Sequence, residues 1–146
     1  MSPASTDDAL RTIAGVVGDL AFLTPLGVGP LLAAGEQELA VHVAFRGSAS
    51  GTLVVALAPG LARALVDNLA PPEPGCTPTA EDLADAAKEL ANVLAGNLLA
   101  TLHGAQAEFQ LGSPELVPPA DLPATATFAI GLILAEGGMM AGILPA

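Results

Sequence analysis

Residues 82–102 constrain what this chain can fold into more than any other stretch. Leu83, Ala87, Leu90, Leu94 and Leu98 recur at the three-and-four spacing of one helix face. Asp85, Glu89, Asn92 and Gly96 run along the opposite side. With 3.6 residues per turn, the second set falls in a wedge of about 60°. A leucine stripe must lie against an apolar floor, so the rest of the chain has to build one. The core needs only the stripe; the wedge is free to face a partner.

Flanking segments supply that floor. Ser5-Thr6-Asp7-Asp8 offers an N-cap with an acidic first turn, and Leu10, Ile13, Val17 and Leu20 follow at helical spacing. This predicts a first helix over residues 6–23, ended by Pro25 and the glycines beyond it. Leu39, Val41, Val43 and Phe45 alternate, and residues 52–57 follow a Gly- and Ser-rich break, which reads as a β-hairpin. Pro59-Gly60 then opens a short helix over 61–69. Residues 70–78 hold four prolines and the lone Cys76, an exposed connector. Thr79-Ala80-Glu81-Asp82 is a capping-box signature for the long helix, 79–102. A short strand is expected at 108–111 and irregular chain around Ser113-Pro114 and Pro118-Pro119. Residues 125–135 and 139–144, joined at Glu136-Gly137-Gly138, close the chain as a second hairpin.

Laid on the long helix at an offset of 74, the first helix places Asp7-Asp8 on Glu81-Asp82 and Leu20-Ala21 on Leu94-Ala95. Each helix precedes hairpin-like strands. The pattern predicts an α+β fold of two pseudo-repeated α-β-β halves within one domain, 1–146, with an antiparallel sheet packed against long helices. Gly15 and Gly18 stand where the second half has Glu89 and Asn92. One half keeps polar groups that the other lacks.

Composition removes several function classes. Apolar residues make up 52% and charged ones 13%, which excludes intrinsic disorder. Net charge is −11 with Arg11, Arg46, Arg63 and Lys88 as the strong cations, and there is no Trp or Tyr. Neither clustered positive charge nor stacking aromatics are present for nucleic acid, and anionic membrane surfaces are excluded likewise. The start of the chain lacks a basic signal-peptide region, and the apolar runs 12–34 and 125–146 are interrupted by charges, prolines or glycines. A soluble, cytoplasmic protein is expected. His42 and His103 lack ligand spacing, so no metal site is expected, and Gly27-Val28-Gly29 matches no phosphate loop.

The wedge remains. An exposed Asn amide can both accept from and donate to one water, and Glu89, one turn before it, can pair with a partner's cation. Gly96 forfeits about 1 kcal/mol of helix propensity but clears a side chain from the approach.

Asp85-x-x-x-Glu89-x-x-Asn92, within Ala87-Lys88-Glu89-Leu90-Ala91-Asn92-Val93-Leu94-Ala95-Gly96, resembles the signature helix of the CheX/CheC family. These are chemotaxis phosphatases that act on phosphorylated response regulators. The family follows its motif with a proline, and Ser113-Pro114 lies close to that place. The hairpin over 51–59 and the Asp19-Leu20-Ala21-Phe22 end of the first helix are also similar. The resemblance implies that Asn92 orients the attacking water on the aspartyl-phosphate of a CheY-like receiver domain. It assigns Glu89 to the receiver's lysine, with Asp85 and Gly96 completing the contact face. Mg²⁺ is then supplied by the receiver, and this chain needs no cofactor of its own. Gly15 and Gly18 fit a member with a single site, and a homodimer formed through the sheet is implied. The competing readings are a non-catalytic module of the same fold that binds a receiver or flagellar-switch component, and a purely structural, self-associating domain.

Overall fold

Thr79 starts the long helix by the reciprocal bonds of a capping box. In the computed structural model, which describes residues 3–146 with side chains from Thr6 onward, its Oγ1 accepts from the Asp82 amide at 3.1 Å. Its own amide donates to the Asp82 carboxylate at 2.9 Å. The helix runs over Ala80–His103 and stops at Gly104, whose φ of 96° suits glycine. Leu90, Leu94 and Leu98 are wholly buried. At about 2 kcal/mol for each buried leucine, this stripe fixes the rotation of the helix.

This helix, α3, lies with α1 (Pro3–Ala21) and α2 (Pro59–Leu69) on one face of a seven-stranded antiparallel sheet. The strands are β1 (Pro25–Gly29), β2 (Leu39–Gly47), β3 (Gly51–Leu57), β4 (Phe109–Leu111), β5 (Glu115–Val117), β6 (Phe128–Leu134) and β7 (Gly137–Pro145). Their order is β1-β6-β7-β3-β2-β4, with β5 also paired to β2. Exchanging the two halves maps this order onto itself: β7 and β3 pair at the centre, and each half's first strand pairs with the other half's second. The predicted repeat is thus visible in the topology, but each half carries three strands rather than two, β4 and β5 together filling one place.

Alternation along β2 sends Val41, Val43 and Phe45 into the helical core, and along β3 Leu53, Val55 and Leu57 do the same. The opposite face holds a small second cluster of Ala40, Ala56 and Met140 beneath Leu32, Val117 and Leu122. Gln37 clasps the covering segments, its Nε2 donating to the carbonyls of Leu32 at 3.2 Å and Ala120 at 2.8 Å.

Several expectations are corrected. α1 begins by Pro3, so Ser5 and Thr6 lie within the helix instead of capping it. It ends at Ala21 rather than at residue 23, because Phe22 adopts a left-handed φ of 57° and its amide returns to the Gly18 carbonyl at 3.1 Å. β1 was not legible: a strand of Pro-Leu-Gly-Val-Gly is tolerated because it sits at the sheet's edge. β5, three residues between prolines, is too short to show alternation. The β6–β7 turn is Ala135-Glu136, one residue earlier than expected, with Leu134 paired to Gly137.

Candidate functional site

Burying the leucine stripe turns Asp85, Glu89, Asn92 and Gly96 outward, and all four are exposed. The Asp85, Glu89 and Asn92 side chains have no hydrogen-bond or ion-pair partner among the described residues. Lys88, the nearest cation in sequence, is half-buried beside the wedge and forms no ion pair with them. The exposed ion pairs described lie elsewhere, Arg11 with Asp8 at 2.7 Å and Arg63 with Asp67 at 3.4 Å. A carboxylate and an amide therefore stand one turn apart on a rigid helix, unspent within the chain.

Asn97 makes the contrast clear. Five residues on, its Nδ2 folds back to the Val93 carbonyl at 2.9 Å, and the Thr101 hydroxyl donates to the Asn97 carbonyl at 3.1 Å. Thr101 Oγ1 lies 2.6 Å from Thr12 Oγ1 of α1; with its own proton given to Asn97, it accepts from Thr12. The Asn97 amide is thus spent within α3, beside the Thr12–Thr101 link to α1, whereas the Asn92 amide is spent on nothing within the chain. A side chain at Gly96 would meet nothing within 4 Å, so no internal packing explains that glycine.

Depressions flank the wedge, one of them small and lined by Gly96 and Phe109. An open groove of about 680 Å³ follows the α1–α3 seam, with Arg11, Gly15, Asp19, Val93 and Asn97 among its walls. A cleft of about 370 Å³ opens where α1, α2 and α3 meet, floored by Leu20, Leu69, Ala70 and Ala86 and rimmed by Asp82, Asp85 and Glu89. The sequence reading missed Leu20 and Leu69 as site residues, since both fit the core periodicity of their helices. Their incomplete burial appears only after the three helices are placed. On α1, Gly15 is exposed with open space beyond it, so the half corresponding to Glu89 is bare.

His42 lies away from this face, whereas His103 ends α3 beyond Gly96. His42 sits on the sheet surface opposite the helices, paired across the ladder with Glu115. Burial lowers its pKa below 6.5, and the Glu115 charge raises it in part. His103 packs its ring against Phe109 with centroids 5.4 Å apart. Among the described residues no group of three His, Cys, Asp or Glu is placed to hold a metal ion, and no helix is long and apolar enough to cross a membrane.

A family model described as chemotaxis phosphatase CheX matches residues 39–129, which include the whole wedge. None of the curated proteins matches the chain. Solved structures do. The chemotaxis protein CheX of Vibrio vulnificus is similar with a TM-score of 0.74 at 16% identity, covering 96% of this chain and 95% of that one. CheX of Desulfovibrio desulfuricans gives 0.73 at 17%, covering 96% and 97%. The CheX–CheY complex with BeF3 and Mg²⁺ from Borrelia burgdorferi gives 0.66 at 18%, covering 95% and 97%. At these identities the likeness is one of fold.

Proposed function

This chain belongs to the chemotaxis phosphatase CheX family, and from that membership we propose that it accelerates dephosphorylation of a phosphorylated CheY-like receiver domain. One observation carries the reading: Glu89 and Asn92 are exposed and unpartnered on the face that the leucine stripe turns outward, with Gly96 clearing the approach. Asn92 enters the receiver's active site and holds one water, accepting a hydrogen bond from it through the amide oxygen, in line with the aspartyl-phosphate bond. Glu89 pairs with the receiver's lysine and sets the depth of insertion. Asp85 keeps the rim acidic toward that cation. Water attacks phosphorus, the bond to the aspartate oxygen breaks, and inorganic phosphate leaves. The protein's share is placement of a nucleophile and docking, which suits a helix capped by Thr79 and locked by buried leucines. Mg²⁺ belongs to the receiver, so the chain needs no cofactor of its own. The Borrelia burgdorferi CheX, similar in fold, is seen with CheY, which supports a partner of that type.

A homodimer and a cytoplasmic location, beside the receiver, complete the reading. The β1 edge is the surface that fits a second copy: Leu26 is 70% and Val28 56% exposed there, and Ile133 on β6 is 45% exposed. Pairing two such edges covers unpaired backbone and apolar side chains together.

Phosphate release from a phosphorylated receiver, with wild type and with Asn92→Ala, tests the activity. Asn92→Ala is expected to lose about 100-fold or more in acceleration, the scale for losing one placed donor or acceptor, with receiver binding retained. Glu89→Ala is expected to raise KM chiefly. Equal release with wild type and Asn92→Ala refutes the phosphatase reading and leaves a binding module.

A further inference from the structure

Phe22 violates two rules at once. It is 78% exposed, the highest value among the large apolar side chains described, and it is the one non-glycine described with a positive φ, 57°. It occupies the position just past α1 where glycine meets left-handed backbone without strain. The chain contains 16 glycines, and α3 uses one, Gly104, at its own C-terminal cap. Stability alone therefore disfavours phenylalanine here on backbone and on hydration grounds. Strain of this kind persists where the side chain has something else to contact.

Its place in the fold says what. Leu20, two residues earlier, floors the cleft whose rim includes Asp85 and Glu89. Asn68 of α2 donates to the Ala21 carbonyl at 2.7 Å, and Leu69, the last residue of α2, and Ala70 just past it line the same cleft. The backbone of Phe22 is pinned on both sides, its amide bonded to the Gly18 carbonyl and the amide of the buried Leu23 to the Val17 carbonyl, both at 3.1 Å. The ring thus stands on a fixed backbone one residue past Ala21, whose carbonyl is tied to α2 beside the cleft-lining Leu69, so docking it orders a side chain and no backbone.

Resting on the receiver-phosphatase reading, we propose that Phe22, with the Leu20 and Leu69 floor beside it, is a second, apolar contact with the receiver domain that sets which receiver is bound. The motif face handles the phosphoryl chemistry; the aromatic anchor contributes affinity and selectivity. A second copy of the chain is the rival occupant, since β1 starts only three residues further on. The receiver is favoured because the cleft is continuous with Asp85 and Glu89.

Phe22→Gly tests this, because it relieves the strained backbone and cannot weaken binding by unfolding the chain. Binding to a beryllofluoride-activated receiver, chosen as the one wild type dephosphorylates fastest, is measured by calorimetry beside thermal melts, sedimentation and turnover. The expected result is unchanged or higher Tm, an about fivefold or greater rise in Kd, the scale that separates the minority of energetically significant interface residues from the rest, and a matching rise in KM with kcat unchanged. Unchanged Kd and KM in Phe22→Gly overturn the proposal, and so does a loss of self-association with receiver affinity intact. Failure of wild type to accelerate dephosphorylation of any receiver sinks the phosphatase reading, and this contact with it. Wild-type binding that Phe22→Gly preserves sinks only the contact.

Discussion

Gly96→Ala should make this protein more stable. Gly96 lies well inside α3, is exposed, and a Cβ built there meets no atom within 4 Å. The substitution therefore adds no clash and no contact, and the helix-propensity difference is expressed almost in full, about 0.9 kcal/mol. An unfolding entropy of about 2.1 cal/mol/K per residue over 146 residues turns that into a Tm rise of about 3 °C. Urea and thermal denaturation read the stability, and phosphate release from a phosphorylated receiver reads the function. Gly15→Ala on α1, also exposed with open space beyond its Cβ, supplies the control: a similar gain with turnover unchanged. Gly96→Met extends the test, since methionine is a good helix former but projects from the contact face. It should keep a raised Tm and lose receiver affinity. No gain from Gly96→Ala refutes the packing argument; full receiver affinity in Gly96→Met refutes the assignment of this face to docking.

Thr79→Ala removes the side-chain half of the α3 capping box and should cost about 1 kcal/mol, read as a lower urea midpoint. Thr79→Ser should keep most of it; equal losses in the two variants would show that the hydroxyl is not the source. His42 predicts a pH dependence. Because folding lowers its pKa, the unfolded chain takes up a proton below 6.5 that the folded chain resists. Its contribution is thus intact above 6.5 and declines as pH falls through that value. The drop in urea midpoint between about pH 7 and about pH 5.5 should be smaller in His42→Gln than in wild type. It should be larger in Glu115→Gln, which removes the charge that raises the His42 pKa. Identical pH profiles for all three proteins would contradict this account.

Residues whose roles depend on near neighbours were readable in advance. The Thr79 cap, the stripe of Leu90, Leu94 and Leu98 and the outward Asp85, Glu89 and Asn92 all lie within one helix, where spacing converts directly into direction. The β2–β3 hairpin was equally local, its alternation surviving as Val41, Val43 and Phe45 in the core. Elements whose existence depends on distant partners were not. β1 is a strand because β6 lies beside it, and β5 because β2 does.

By itself, then, the sequence determined which face of the long helix looks inward, that its polar wedge is left over, and that the sister helix has glycines in its place. Hydrophobic period reports burial along one dimension, and these are one-dimensional facts. Only tertiary structure decided that the two halves interleave their strands in one sheet, and that the ends of α1 and α2 build a cleft against Asp85 and Glu89. It also showed Phe22 exposed with a left-handed backbone, two residues past the cleft-lining Leu20. Packing between residues dozens of positions apart sets those features, and spacing along a single segment carries no record of it.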